Sequence, residues 1–223
     1  QKIFPVPSIA LGTPDLSVYE MVAAYSTFAN KGVYTKPSFI EKIEDKNGTI
    51  LFQSNPEIKD VLSEEAAYVT VNLLEGVTTA GSGTRLRTVG ADEYNRAYQK
   101  VVTGYPYEFK NPIAGKTGTT QNQSDGWFIG MVPNLVTGVW VGAEDRAIHF
   151  EDIAYGQGAT MALPIWANYM RSIYLDTTLM ISKEPFEKPD ILNIQLDCNK
   201  FVIDSIGSGK TTDQEIQLSL IHI

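Results

Sequence analysis

Apolar residues at Val18, Met21, Val22, Tyr25, Phe28 and Ala29 recur at three- and four-residue steps, the spacing of one face of an α-helix. Thr13 and Pro14 ahead of them supply an N-cap and a first-turn proline, and Gly32 stops the run. Ser63 caps a second helix, which keeps Ala66, Val69, Leu73 and Val77 at helical spacing. Between the two helices, "FIEKIEDKNGTILF" sets Asn47-Gly48 between short runs of β-favouring residues, the strongest short-range hairpin signal in the chain. "WFIGMV" and "LVTGVWVGA", joined by Pro133-Asn134, are rich in Val, Trp and Phe and read as adjacent antiparallel strands buried on at least one face. "LPIWANYMRSIYL" supplies a third helix, with Pro164 in its first turn and Ile165, Tyr169 and Ile173 on one side.

The remaining stretches lack such patterns. "KIFPVPSIALG" at the start is extended and loop-like, because Pro5 and Pro7 forbid a helix there. Residues 78–112 carry a glycine-rich turn, "TTAGSGTRLR", followed by charge, tyrosine and proline without a clean period, which reads as a loop-rich excursion with one short helix. From residue 182 the chain is polar and proline-bearing, and its closing "LSLIHI" is out of character with what precedes it. The expected organisation is one domain part over 1–181 and a poorly anchored polar tail over 182–223. No period of about 20–50 residues repeats, which excludes a solenoid. The order helix, hairpin, helix, strand pair, helix fits an α+β architecture, with helices packed on an antiparallel sheet.

Composition leaves this picture unchanged, since 43% hydrophobic and 20% charged residues over 223 positions are ordinary for a globular protein. Charge narrows the partners: a formal net charge of −8 with scattered lysine and arginine argues against nucleic acid. Cys198 stands alone, which excludes an intrachain disulfide and a thiolate metal cluster. His149 and His222 lie far apart with no carboxylate-rich spacing around them, so no metal is expected. No apolar run reaches the ~18 residues of a membrane span, and no charged-then-apolar signal segment opens the chain, which begins at Gln1.

The chemistry concentrates in residues 114–130, "AGKTGTTQNQSDGWFIG". Gly-Lys-Thr ends a phosphate-binding P-loop and occurs twice here, but the motif's other glycine is replaced by Lys110 ahead of Gly115 and by Asp204 ahead of Gly209. Acyl transfer fits better. On a strand, alternation sends Lys116 and Gly118 to one face and Thr117 and Thr119 to the other. Gly118 lets a substrate backbone approach closely, an ammonium with two neighbouring hydroxyls makes a cradle for a carboxylate, and backbone N–H groups at the strand edge can face a developing oxyanion. Taken alone, "KTGT" is more simply a threonine-rich edge strand whose lysine guards against aggregation.

The wider context favours the chemical reading. "AGKTGTTQNQSDGWFIG" followed by "VPNLVTGVWVG" resembles the third signature region of penicillin-binding proteins of the bifunctional class A type. The upstream "SIALGTPDLSVYEMVAAYSTFANKGVYTKPSFIEKIEDKNGTIL" is similar to the segment those proteins carry after their second signature, and the resemblance covers most of residues 8–175. It implies the penicillin-recognising fold shared by serine β-lactamases and transpeptidases. The family's site joins a serine nucleophile in S-x-x-K, a second serine in S-x-N and the K-T-G strand. No serine of this chain has lysine three positions later or asparagine two positions later, so residues 1–223 match the C-terminal two-thirds of the transpeptidase domain and are expected to be inactive alone.

By that resemblance Lys116 keeps the site positive and assists proton transfer, Thr117 and Thr119 bind the substrate's terminal carboxylate, Gly118 permits close approach, and the Thr119 N–H is one oxyanion donor. Thr120, Asp125, Gly83 and Thr84 would line the cleft. For Asp125 a role in holding the loop by accepting backbone hydrogen bonds is favoured, and Trp127 is expected in the core. The stretch from Arg87 to Pro112 departs from the family by being longer and richer in tyrosine than the usual spacing. The implied activity is D,D-transpeptidation of peptidoglycan stem peptides ending in D-Ala-D-Ala, with β-lactams as substrate mimics. The implied setting is the extracytoplasmic side of the bacterial inner membrane, through an N-terminal anchor outside this sequence and with cell-wall synthesis proteins as partners. A non-catalytic scaffold module of the same fold is the rival expectation, and a β-lactamase or carboxypeptidase fits less well.

Overall fold

In the computed structural model, which describes residues 3, 5–87, 98, 100, 102 and 104–197, the first helix starts at Ser17 and not at Thr13. Helix α1 (Val18–Ala29) is closed by a capping box: Ser17 Oγ accepts from the Glu20 N–H at 3.2 Å, and the Glu20 carboxylate accepts from the Ser17 N–H at 2.9 Å. Two satisfied amides outweigh the single first-turn proline that pointed to Thr13, whose hydroxyl bonds Ser8 instead. The Ser17 N–H first, and then the Ser17 hydroxyl donating at 2.8 Å, hold the Glu20 carboxyl down at about 2. Helix α2 (Glu64–Ala80) begins at Ser63 as expected, with Ser63 Oγ accepting from the Ala66 N–H.

Between the helices lie β1 (Val33–Thr35), β2 (Lys42–Glu44), β3 (Ile50–Gln53) and β4 (Ile58–Asp60). Strands β2 and β3 form the expected hairpin, with Gly48 at φ 83° in its turn and the Asp45 carboxylate accepting from the N–H groups of Asn47 and Thr49. Strands β1 and β4 pair around it. At three residues each they are too short to show a period in the sequence.

The main sheet is β5 (Ala114–Thr119), β6 (Asp125–Val132) and β7 (Leu135–Gly142), antiparallel in the order β5-β6-β7. Helices α1 and α2 cover one face, and α4 (Gly158–Leu175) covers the other after the single turn of α3 (Ile153–Gly156). Pro164 thus lies inside α4 and not in its first turn. Every residue from Gly158 to Pro164 is buried, so this part of the helix is apolar or small on all sides and shows no stripe from which its start could be read.

Trp166 of α4 anchors the larger core. It is fully buried, lies edge-on to Phe128 at 5.2 Å and Phe109 at 6.1 Å, and fits over Gly130, where a side chain would meet its ring at 2.4 Å. Tyr98, Tyr105, Tyr107 and Phe109 complete this core, although the stretch that carries them was expected to be an irregular excursion. The aromatics at 105, 107 and 109 are the signal that marks them, although the segment is not a strand: Pro106 lacks a ladder donor and Glu108 sits at φ 56°. Tyr98 donates to the Ala159 carbonyl at 2.8 Å and stacks edge-on with Tyr105.

Burial raises the Tyr98 hydroxyl to about 12, and raises Tyr107 as well. The folded state therefore favours the neutral phenol, and the stability this gives is complete below the ordinary phenol range and lost as pH climbs through it toward about 12. Unfolding midpoints measured in alkaline buffers are expected to fall steeply between about pH 10 and 12, and more shallowly in Tyr98→Phe.

Residues 1–189 form one unit and 190–223 a second, and among the described residues 190–197 none is helical or in a strand. The first part of the expected loose tail is held: the Ser182 N–H donates to Asn134 Oδ1 at 2.8 Å, Phe186 packs beside Tyr25 and Phe28, and Glu187 pairs with Lys31 at 2.9 Å. Cys198, the second Gly-Lys-Thr, His222, "LSLIHI" and residues 88–97 lie outside the described residues.

Candidate functional site

Strand β5 carries Lys116, Thr117, Gly118 and Thr119 on the outer edge of the sheet, with no further strand pairing it among the described residues. The register opposes Thr117 to Phe128 and Ala114 to Met131. Phe128 packs on Trp166 of α4, and Ala114 and Met131 pack on Val71 of α2, so alternation places Thr117 and Thr119 on the α4 face and Lys116 and Gly118 on the α2 face. The Thr120 N–H donates inward to the Asp125 carbonyl, which by the same alternation turns the backbone groups of Thr117 and Thr119 out to the free edge.

The polar groups of β5 meet at that edge. Lys116 is exposed, and its Nζ curls over to donate to the Thr117 carbonyl at 2.9 Å. Thr119 Oγ1 accepts from the Gly158 N–H at 3.0 Å, the first residue of α4. This approach needs a glycine at 158, since a side chain there would lie 2.3 Å from the Gly118 carbonyl oxygen. A hydroxyl whose oxygen already accepts an inner N–H keeps its own proton free to donate outward. Thr117 Oγ1 lies 2.5 Å from Ser82 Oγ, in the turn after α2.

Thr120 and Asp125 form the hinge between β5 and β6. Thr120 Oγ1 accepts from the Asp125 N–H at 2.9 Å and donates to Asp125 Oδ2 at 3.0 Å, while Trp140 Nε1 donates to Asp125 Oδ1 at 2.9 Å. Arg146 Nε stands 3.9 Å from Asp125 Oδ2. Asp125 thus holds the loop, but its carboxylate does so through side-chain donors and not through backbone N–H groups. With Asp125 only 6% exposed, Asp125→Ala takes the acceptor from the Trp140 N–H and from the Thr120 hydroxyl and is expected to lower stability by about 1–3 kcal/mol in thermal unfolding. Trp127 is half-buried and tilted against Trp140 at 6.4 Å, so it packs at the margin of the sheet and not in the core.

Gly83 is buried, its N–H donating to the Val77 carbonyl, and Thr84 is half-buried at the start of a short 3-10 turn, Thr84–Leu86. The member of this turn that reaches β5 is Ser82, which the sequence reading did not single out. Two described cavities, of about 400 and 130 Å³, lie elsewhere, under Phe150 and Ile165 and beside Phe186. Among the described residues no group of three histidine, cysteine or acidic side chains could hold a metal, and no helix is long and apolar enough to cross a membrane.

This arrangement of helices around an antiparallel sheet recurs in penicillin-binding transpeptidases of known structure. The penicillin-binding protein 1A of Haemophilus influenzae superposes with a TM-score of 0.59 at 25% identity, over 85% of this chain and 30% of that one. The protein PonA1 of Mycobacterium tuberculosis, solved in complex with penicillin V, superposes with a TM-score of 0.59 at 27% identity, over 84% of this chain and 45% of that one. Residues 7–170 match the penicillin binding protein transpeptidase domain, and the chain belongs to that family. Among curated relatives, penicillin-binding protein 1A of Aquifex aeolicus is 37% identical over 185 residues, covering 83% of this chain and 22% of the relative. Penicillin-binding protein 2D of Bacillus subtilis is 33% identical over 165 residues, covering 74% and 21%. The chain therefore spans about a fifth of the length of these relatives, and the resemblance to the class A type and its fold holds.

Proposed function

We propose that this chain supplies the K-T-G strand of a serine D,D-transpeptidase that cross-links peptidoglycan in a bacterial envelope, and that β-lactams occupy the same place. The observation that carries the reading is the free edge of β5, where two threonine hydroxyls, an outward N–H and an ammonium converge within one strand of a family member. A stem peptide ending in D-Ala-D-Ala has an anionic terminus to bind and a carbonyl to polarise. Thr117 and Thr119 would donate to the terminal carboxylate, and the Thr119 N–H would donate to the oxyanion of the tetrahedral intermediate. Lys116 would keep the edge positive and assist proton transfer. The nucleophilic serine of S-x-x-K and the second serine of S-x-N do not occur in residues 1–223 and would come from the rest of the protein, as would a membrane anchor on the extracytoplasmic side.

In this mechanism the serine Oγ attacks the carbonyl of the penultimate D-alanine, its proton passes to a neighbouring base, and the C–N bond to the terminal D-alanine breaks as that nitrogen takes a proton. The amine of a second stem then displaces the serine. The intact protein is expected to form a covalent adduct with a fluorescent penicillin and to release D-alanine from a stem peptide, whereas residues 1–223 alone stay unlabelled. An intact protein that binds stem peptides but neither labels nor releases D-alanine would be a scaffold.

A further inference from the structure

The turn that follows α2 makes a polar contact for which the proposed reaction has no role. Residues 81–86 carry the chain from the α2 face of the sheet, round the free edge of β5, to the α4 face. The turn is pinned at both ends. The N–H groups of Gly81 and Gly83 both donate to the Val77 carbonyl at 3.2 and 3.0 Å, where a side chain on Gly83 would meet the same oxygen at 3.2 Å. Arg85 donates to Thr160 Oγ1 at 3.0 Å with its guanidinium 4.0 Å over the Tyr98 ring, and Leu86 is fully buried. Ser82, between these fixed points, is exposed and sets its hydroxyl 2.5 Å from that of Thr117.

We propose that Ser82 is a positioning residue: its hydroxyl donates to Thr117 Oγ1 and so turns the Thr117 proton outward, toward the carboxylate of a bound peptide or penicillin. The inference rests on reading the β5 edge as the carboxylate site. A hydroxyl has one proton and two acceptor positions, so the direction of the Ser82 bond decides what Thr117 presents. If Thr117 donated to Ser82, it would offer only lone pairs to an anion, which repel it. With Ser82 as donor, Thr117 has the same arrangement as Thr119, whose oxygen accepts the Gly158 N–H and whose proton is free. The two threonines on one face of β5 are thus each oriented by an inner donor, one from the start of α4 and one from the turn after α2. Held in advance, the two protons need not reorganise when the anion arrives.

The test measures acylation of the intact protein by a penicillin and by the same penicillin as its methyl ester, which keeps the reactive ring but removes the charge. Ser82→Ala is expected to slow acylation by the free acid about 5- to 10-fold, the loss of one hydrogen bond, and to leave the ester within about 2-fold of the unsubstituted protein. Ser82→Thr, which retains the hydroxyl, restores the rate. Thr117→Ala slows the free acid at least as much. Ser82→Ala without effect where Thr117→Ala is slow overturns the positioning role, and so does an equal slowing of acid and ester, which marks a turn that is only structural. Thr117→Ala without effect overturns the carboxylate site itself.

Discussion

Trp166→Ala is expected to lower the free energy of unfolding by about 3–5 kcal/mol, the cost of emptying a large aromatic site in a core that cannot collapse around it. The indole is fully enclosed between Phe128 and Phe109, and it sits over Gly130 in the sheet strand that opposes β5. Ile165, its neighbour in α4, is 52% exposed, and Ile165→Ala is expected to cost about 1 kcal/mol or less. Denaturant midpoints of the two variants check this. Equal losses would mean that α4 does not pack on the sheet through this face. The consequence reaches the site, because α4 also delivers the Gly158 N–H to Thr119.

Lys116→Ala is expected to have the largest effect on chemistry, slowing acylation of the intact protein by a penicillin about 10²- to 10⁴-fold, the range of a lost proton-transfer group. The unfolding midpoint should stay within about 0.5 kcal/mol, because the side chain is exposed and its bond among the described residues goes to a carbonyl of its own strand. Lys116→Arg separates the two roles. An arginine keeps the charge but does not give up its proton at working pH, so it should restore affinity for the anion and leave the rate low. A rate restored with the affinity would confine Lys116 to electrostatics, and equal labelling of Lys116→Ala and the unsubstituted protein would remove it from the mechanism.

The sequence disclosed the elements whose pattern is local and the part of the site that is a motif. Ser63, Asn47-Gly48 and the two apolar runs at 127–132 and 135–143 lie where the spacing places them. The α+β class follows from their order. What stayed hidden has particular causes. The start of α1 was read at Thr13 from the proline that follows it, whereas Ser17, with two bonds in its capping box, closes the helix. The first half of α4 is buried on every side and has no period to read. The aromatic core at 105–109 is irregular backbone, with Pro106 and with Glu108 at φ 56°, and nothing but the spacing of its aromatics sets it apart from a loop. Within the site, Lys116, Thr117, Gly118 and Thr119 were legible because they are contiguous. Ser82 was not, because it meets Thr117 only through the tertiary turn, and the glycines around it drew attention to Gly83 and Thr84.

A structure of the intact protein acylated by a penicillin examines the anion-binding edge of β5 itself. The carboxylate of the bound drug should lie within hydrogen-bond distance of the hydroxyls of Thr117 and Thr119, with the acyl oxygen facing the Thr119 N–H. A carboxylate held by other residues, with the β5 edge open to solvent and Lys116 still folded on the Thr117 carbonyl, would contradict the proposal.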